Sequence, residues 1–192
     1  MKLENFALEH FYIDNWKLMK PILWIFLLAW LPAHSQTTGY SGKPFPDFSA
    51  TALTGRLVNS TQFSGRPTIL IVTPSQGAAK DTRLWVQALR KTIDQRKVLI
   101  GDILAIDRPL FMSEDDMRVR AKEKIPAQYY DQTWITDESQ VKRVLHIPRG
   151  SDSAFLFVLD EHGTISQRIK GPPTSAKIAA VEEAVRAKKS RQ

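Results

Sequence analysis

Along the chain, blocks of continuous apolar residues alternate with stretches in which apolar positions recur every three or four residues. Arg66 to Thr73 (RPTILIVT) is a β-branched run, the pattern of a strand buried on both faces. From Asp81 to Gln95, Leu84, Trp85, Ala88, Leu89 and Ile93 fall at helical spacing, with Asp81 suited to the N-cap. Val98 to Ile106 (VLIGDILAI) is the next predicted strand, and Ser113-Glu114-Asp115-Asp116 opens a helix whose first-turn carboxylates suit the helix dipole. Thr133 to Thr136 is a short extended piece, and Glu138 to Ile147 places Val141, Val144 and Leu145 on one helical face. Ala154 to Leu159 and Thr164 to Lys170 flank the turn Asp160-Glu161-His162-Gly163 as a hairpin. Thr174-Ser175 caps a last helix running to Lys188, with Ile178, Val181 and Val185 facing inward.

Before these elements, Ser41 to Phe48 is broken by prolines and then extended, and Thr54-Gly55-Arg56 reads as a turn between two short strands. The order is hairpin, β, α, β, α, β, α, hairpin, α. Alternating βα units followed by an antiparallel pair predict a three-layer α/β/α sandwich around a mixed central sheet, with an N-terminal β-hairpin.

The first 35 residues follow a different pattern. Pro21 to Leu31 (PILWIFLLAWL) is an apolar run of eleven, short for a bilayer span, with Lys17 and Lys20 before it and Pro32-Ala33-His34-Ser35 after it. That is the order of a secretory signal, predicting cleavage after Ser35 and an exported protein, periplasmic or secreted. Met19 would itself start a compact signal. Alternatively residues 1–18 are a long n-region and the run is kept as a membrane anchor. The expected organisation is therefore an N-terminal extension with signal over 1–35 and one domain over 36–192, ending in a basic tail from Arg186 to Arg191.

Composition narrows the chemistry. Of 192 residues, 43% are hydrophobic and 24% charged, which suits a packed domain. The net charge of +7 is spread along the chain, so no basic stripe marks a nucleic-acid groove. There is no cysteine, which excludes disulfides, thiolate chemistry and thiolate metal ligation by this chain.

The run G-K-P-F-P-D-F-S-A-T-A-L-T-G-R-L-V, followed by F-S-G-R-P-T-I-L-I-V, resembles the opening of the redoxin branch of the thioredoxin superfamily. That branch includes the AhpC/TSA-type peroxiredoxins and the thiol-disulfide proteins related to TlpA and ResA. The later A-F-L-F-V-L-D-E-H-G-T-I is similar to that branch's strand-turn-strand, P-T-x-F-x-I-D-x-x-G-x-I. The resemblance spans roughly Gly42 to Arg186 and implies a thioredoxin-like fold. It also implies that the loop Pro74-Ser75-Gln76-Gly77-Ala78-Ala79-Lys80-Asp81 stands where the active site would be. Against a TlpA-like pattern, Gly77 and Lys80 replace the two cysteines; against the peroxiredoxin pattern, Ala78 replaces the threonine and Asp81 the cysteine. The proline that is cis in active thioredoxins falls near Ser153-Ala154, and is also missing. Serine has no redox couple and a far higher pKa, so it cannot stand in for a thiolate.

Other chemistries are weakly supported. Ser75 lacks a G-x-S-x-G context, and neither His146 nor His162 is placed beside it by sequence. Lys80 reads as a solvated lysine near a helix start. Asp102, Asp107, Glu114, Asp115 and Asp116 form no calcium-loop pattern, and Asp160-Glu161-His162-Gly163 is ordinary hairpin chemistry, so neither a metal nor a cofactor is expected. Trp85 should pack on the sheet, whereas Phe111, Tyr129, Tyr130 and Trp134, in connecting stretches, are the candidates for contact with a partner, an envelope protein in the simplest reading. Two functions remain: a redox-inactive binding protein of the cell envelope, or a redoxin relative with a non-thiol or partner-dependent activity. The oligomeric state has no sequence signal.

Overall fold

The computed structural model describes residues 41–107 and 111–186. The predicted signal, its cleavage site, and the basic tail beyond Arg186 lie outside the described residues. The strands are β1 (Ser49–Ala52), β2 (Leu57–Asn59), β3 (Thr68–Thr73), β4 (Leu99–Ile106), β5 (Thr133–Asp137), β6 (Phe155–Leu159) and β7 (Ile165–Lys170). The helices are α1 (Ala79–Thr92), α2 (Glu114–Lys122), α3 (Glu138–Val144) and α4 (Ser175–Arg186). All seven strands form one mixed sheet in the order β2-β1-β5-β4-β3-β6-β7. β3, β4 and β5 run parallel, and β1 and β6 pair antiparallel on either side of them. The expected three-layer architecture is present.

Each face of the sheet has its own apolar core. On one, Leu70, Val72, Ile103, Trp134, Phe155 and Phe157 pack with Val141 and Leu145 near α3 and with the N-terminal Phe45 and Phe48. On the other, Ile69, Ile71, Ile100, Leu156 and Val158 meet Trp85 and Leu89 of α1 and Val181 of α4. β3 is buried along its whole length, as a central strand covered on both faces must be. Each such aliphatic side chain removed from water stabilises the fold by roughly 1.5–3 kcal/mol. Trp85 packs on the sheet as expected, and its Nε1 donates to the carbonyl of Gly171 at 2.8 Å.

Two predicted details differ. α1 begins at Ala79, capped by Ala78 with no side-chain bond, so Asp81 lies in its first turn and is not the N-cap. It ends at Thr92, short of Gln95, because residues 94–97 turn back through Asp94, whose carbonyl accepts from Lys97 N–H at 3.0 Å. α2 contains no buried residue; a reciprocal capping box between Ser113 and Asp116 supports its first turn. Those bonds from Ser113 hold the Asp116 carboxyl below its usual range.

Candidate functional site

The antiparallel pairing of β3 with β6 determines where the loop lies. Val72 is opposite Phe155, so the chain leaving β3 and the chain entering β6 emerge side by side. The structure thus brings the loop Pro74–Asp81 against Asp152, Ser153 and Ala154. Two bonds join them. Ser75 Oγ donates to Asp152 Oδ1 at 2.8 Å, and the backbone N–H of Ala154 donates to Asp81 Oδ2 at 3.4 Å. Asp81 is therefore spent on the strand entry rather than on capping α1.

Within the loop, the carbonyls of Ser75 and Gln76 accept from Ala78 N–H and Ala79 N–H, each at 3.2 Å, and form the tight entry to the helix. Pro74 and Ala78 are buried, while Gln76, Gly77 and Lys80 face solvent. Gly77 nevertheless has no room for a side chain: a Cβ there would lie 2.6 Å from Asp152 Cγ. In the TlpA-like register this is the position of the first cysteine, and the space a thiol needs is filled by a carboxylate.

Ser75 bonds a carboxylate and no imidazole. His146 follows α3 with φ of 47°, and His162 lies in the β6–β7 turn, where Asp160 accepts from the backbone N–H of His162 and Thr164. Among the described residues, no group of three histidines or carboxylates is placed to hold a metal ion.

Of the four aromatic candidates, Phe111 is 84% exposed, as a contact residue would be. Tyr129 and Tyr130 are half-buried and engaged internally: Arg90 stacks 3.4 Å over the Tyr129 ring, and Tyr130 Oη donates to the carbonyl of Lys122 at 2.9 Å. Trp134 requires correction. It is 2% exposed, stacks on Phe63 with ring centroids 5.6 Å apart, and is a core residue of β5 rather than a surface contact.

Sequence reasoning missed the Asp152 contact and weighed Asp102 only as a metal ligand. Asp102 lies on β4 opposite Ile71 and Thr133, and its residue is half-buried with the carboxylate enclosed. Burial pushes its pKa up to about 7, against the opposing pull of a Thr73 hydrogen bond and the Arg90 charge. A lone carboxylate inside an apolar strand run was the signal that marked it.

The molecule is similar to several solved structures. The thioredoxin domain of a thiol-disulfide oxidoreductase from Bacteroides vulgatus matches with a TM-score of 0.54 at 19% identity, covering 76% of this chain and 97% of that one. The fold is thioredoxin-like. A putative electron transfer protein from Aquifex aeolicus gives a TM-score of 0.55 at 16% identity, over 77% of this chain and 95% of that one. A putative thiol:disulfide interchange protein DsbE from Chlorobium tepidum gives 0.54 at 17%, over 77% and 96%. No family model matches the chain, and no curated protein matches it in sequence. The expected thioredoxin-like architecture is therefore present in a chain without a single cysteine.

Proposed function

We propose that this protein is an exported, redox-inactive thioredoxin-fold protein of the cell envelope that acts by binding a protein or small ligand. The observation that carries this reading is the closed loop: Gly77 has no space for a side chain, and Asp152, Ser75, Asp81 and Ala154 fasten its two sides together. A carboxylate, a hydroxyl and a lysine provide recognition groups, and none of them exchanges disulfides. The apolar run Pro21–Leu31, with its flanking lysines and small residues, supports export by a signal cleaved after Ser35. Lys80 and Gln76, exposed on the loop, and Phe111 are the residues through which it meets a partner.

Purified protein, free of metal and heme, is assayed for insulin reduction and peroxide consumption. No turnover above buffer is expected, and turnover by the chain alone overturns the redox-inactive reading. A photo-crosslinking side chain at Phe111 or Lys80, introduced in the native host, is expected to trap one recurrent envelope species. Absence of any specific adduct from both positions removes the binding reading. Mass spectrometry of the exported form is expected to find Gln36 as the N-terminal residue.

A further inference from the structure

Four oxygens stand in a row between β4 and the start of α1. Asp102 Oδ1 is 3.4 Å from Thr73 Oγ1, which is 2.7 Å from Thr82 Oγ1, which is 3.3 Å from the carbonyl of Ala78. Thr73 and Thr82 are only 6% and 4% exposed, so water does not replace these contacts freely. Each hydroxyl carries one proton. With Asp102 ionised, two protons serve three gaps. The 2.7 Å gap must hold one of them, because two bare oxygens at that distance repel. The other goes to the stronger acceptor, the carboxylate. Thr73 then donates to Asp102, Thr82 donates to Thr73, and the Ala78 carbonyl receives no hydroxyl. With Asp102 neutral, three protons serve three gaps, and the row runs Asp102 to Thr73 to Thr82 to Ala78.

We propose that this row is a proton-coupled switch: the charge state of Asp102 sets the direction of the Thr73 and Thr82 hydroxyls, and thereby whether the Ala78 carbonyl receives a second hydrogen bond. That carbonyl already accepts the backbone N–H of Thr82 at 3.1 Å, so the hydroxyl adds to the first bond of α1 and leaves it in place. Ala78 adjoins Gly77, and the switch therefore reports to the loop that faces Asp152. Asp102 titrates near neutrality because its carboxylate is enclosed. The charged group facing it from α1 is Arg90, which stacks on Tyr129 and donates to Gln132 Oε1 at 3.2 Å. Its strand neighbours on either side, Ile71 and Thr133, carry no charge. The switch operates whether or not the loop meets a partner.

The test is an NMR titration of the full chain, following the Asp102 carboxyl carbon and the amides of Ala79 to Thr82. In the wild type, both sets are expected to share one midpoint near pH 7. In Asp102→Asn the amide titration disappears. In Thr73→Val, Asp102 still titrates but the amides no longer follow it; Thr82→Val breaks the row one link later and serves if Thr73→Val does not fold. Amides that ignore Asp102 in the wild type, or still follow it in both valine variants, overturn the proposal.

Discussion

Asp152 stands directly in front of Gly77, with its Cγ only 2.6 Å from where a Cβ on residue 77 would be. Asp152 is itself exposed and held by Ser75 Oγ, so its carboxylate can swing aside only by giving up that 2.8 Å bond, and its Cβ, 2.9 Å from the same point, yields only if the backbone shifts. Gly77→Ala is therefore expected to destabilise the protein by about 1 kcal/mol, the usual worth of such a bond. In an Asp152→Gly background, which removes all three atoms that a Cβ at residue 77 would meet, the same change becomes neutral or stabilising, by up to roughly 1 kcal/mol, because Gly77 lacks a positive φ and alanine restricts the unfolded chain. A double-mutant cycle in urea measures the coupling; additive effects would rule out the contact.

Asp102 makes stability depend on pH in a definite direction. Its pKa is raised from 3.8 to about 7, so the folded state binds more protons than the unfolded state between those values. Its contribution is most favourable at the acid end of that window and declines as pH rises toward 7, then levels off. At roughly 1.4 kcal/mol per tenfold change in proton affinity, the decline is at most about 4 kcal/mol. Asp102→Asn is expected to remove the slope, matching wild type near pH 4 and exceeding it by a few kcal/mol at pH 8. Denaturant melts across this range check it.

Trp134 and Phe111 behave oppositely on truncation. Trp134→Ala empties a core position stacked on Phe63 and closely approached by Gly101, and is expected to cost about 3–5 kcal/mol. Phe111→Ala, at an exposed position, is expected to stay within about 0.5 kcal/mol of wild type. Thermal melts separate the two without any knowledge of a partner.

Ser113→Ala removes half of the capping box from a helix that buries nothing. About 1 kcal/mol of local stability is lost. Hydrogen exchange is expected to show faster opening across Glu114–Lys122 while the amides of β3 keep their protection.

The sequence pattern revealed the central strands because β3 and β6 lie between two covered faces and need apolar residues at every position. It misplaced Trp134 because β5 is short and follows the polar run Tyr129-Tyr130-Asp131-Gln132. Only its insertion between β1 and β4 buries it, and that pairing is not local. It misassigned Asp81 because the N-cap of α1 lies three residues earlier, on an alanine that gives no chemical signal. The loop was legible as a site without thiols, but its closure was not. The Asp152 and Gly77 contact depends on β3 and β6 lying side by side, although 82 residues of chain separate Val72 from its partner Phe155.

The strand order also constrains synthesis. β1 has β2 on one side and β5 on the other, and β5 in turn lies against β4. A nascent chain can close the β1–β2 hairpin early, but β1 cannot join the main sheet until Asp137 has left the ribosome. β3 then waits longer still for β6. Such distant pairings are slow to form and leave strand edges open meanwhile. The sheet thus cannot close around β1 and β3 until the last third of the chain has been made.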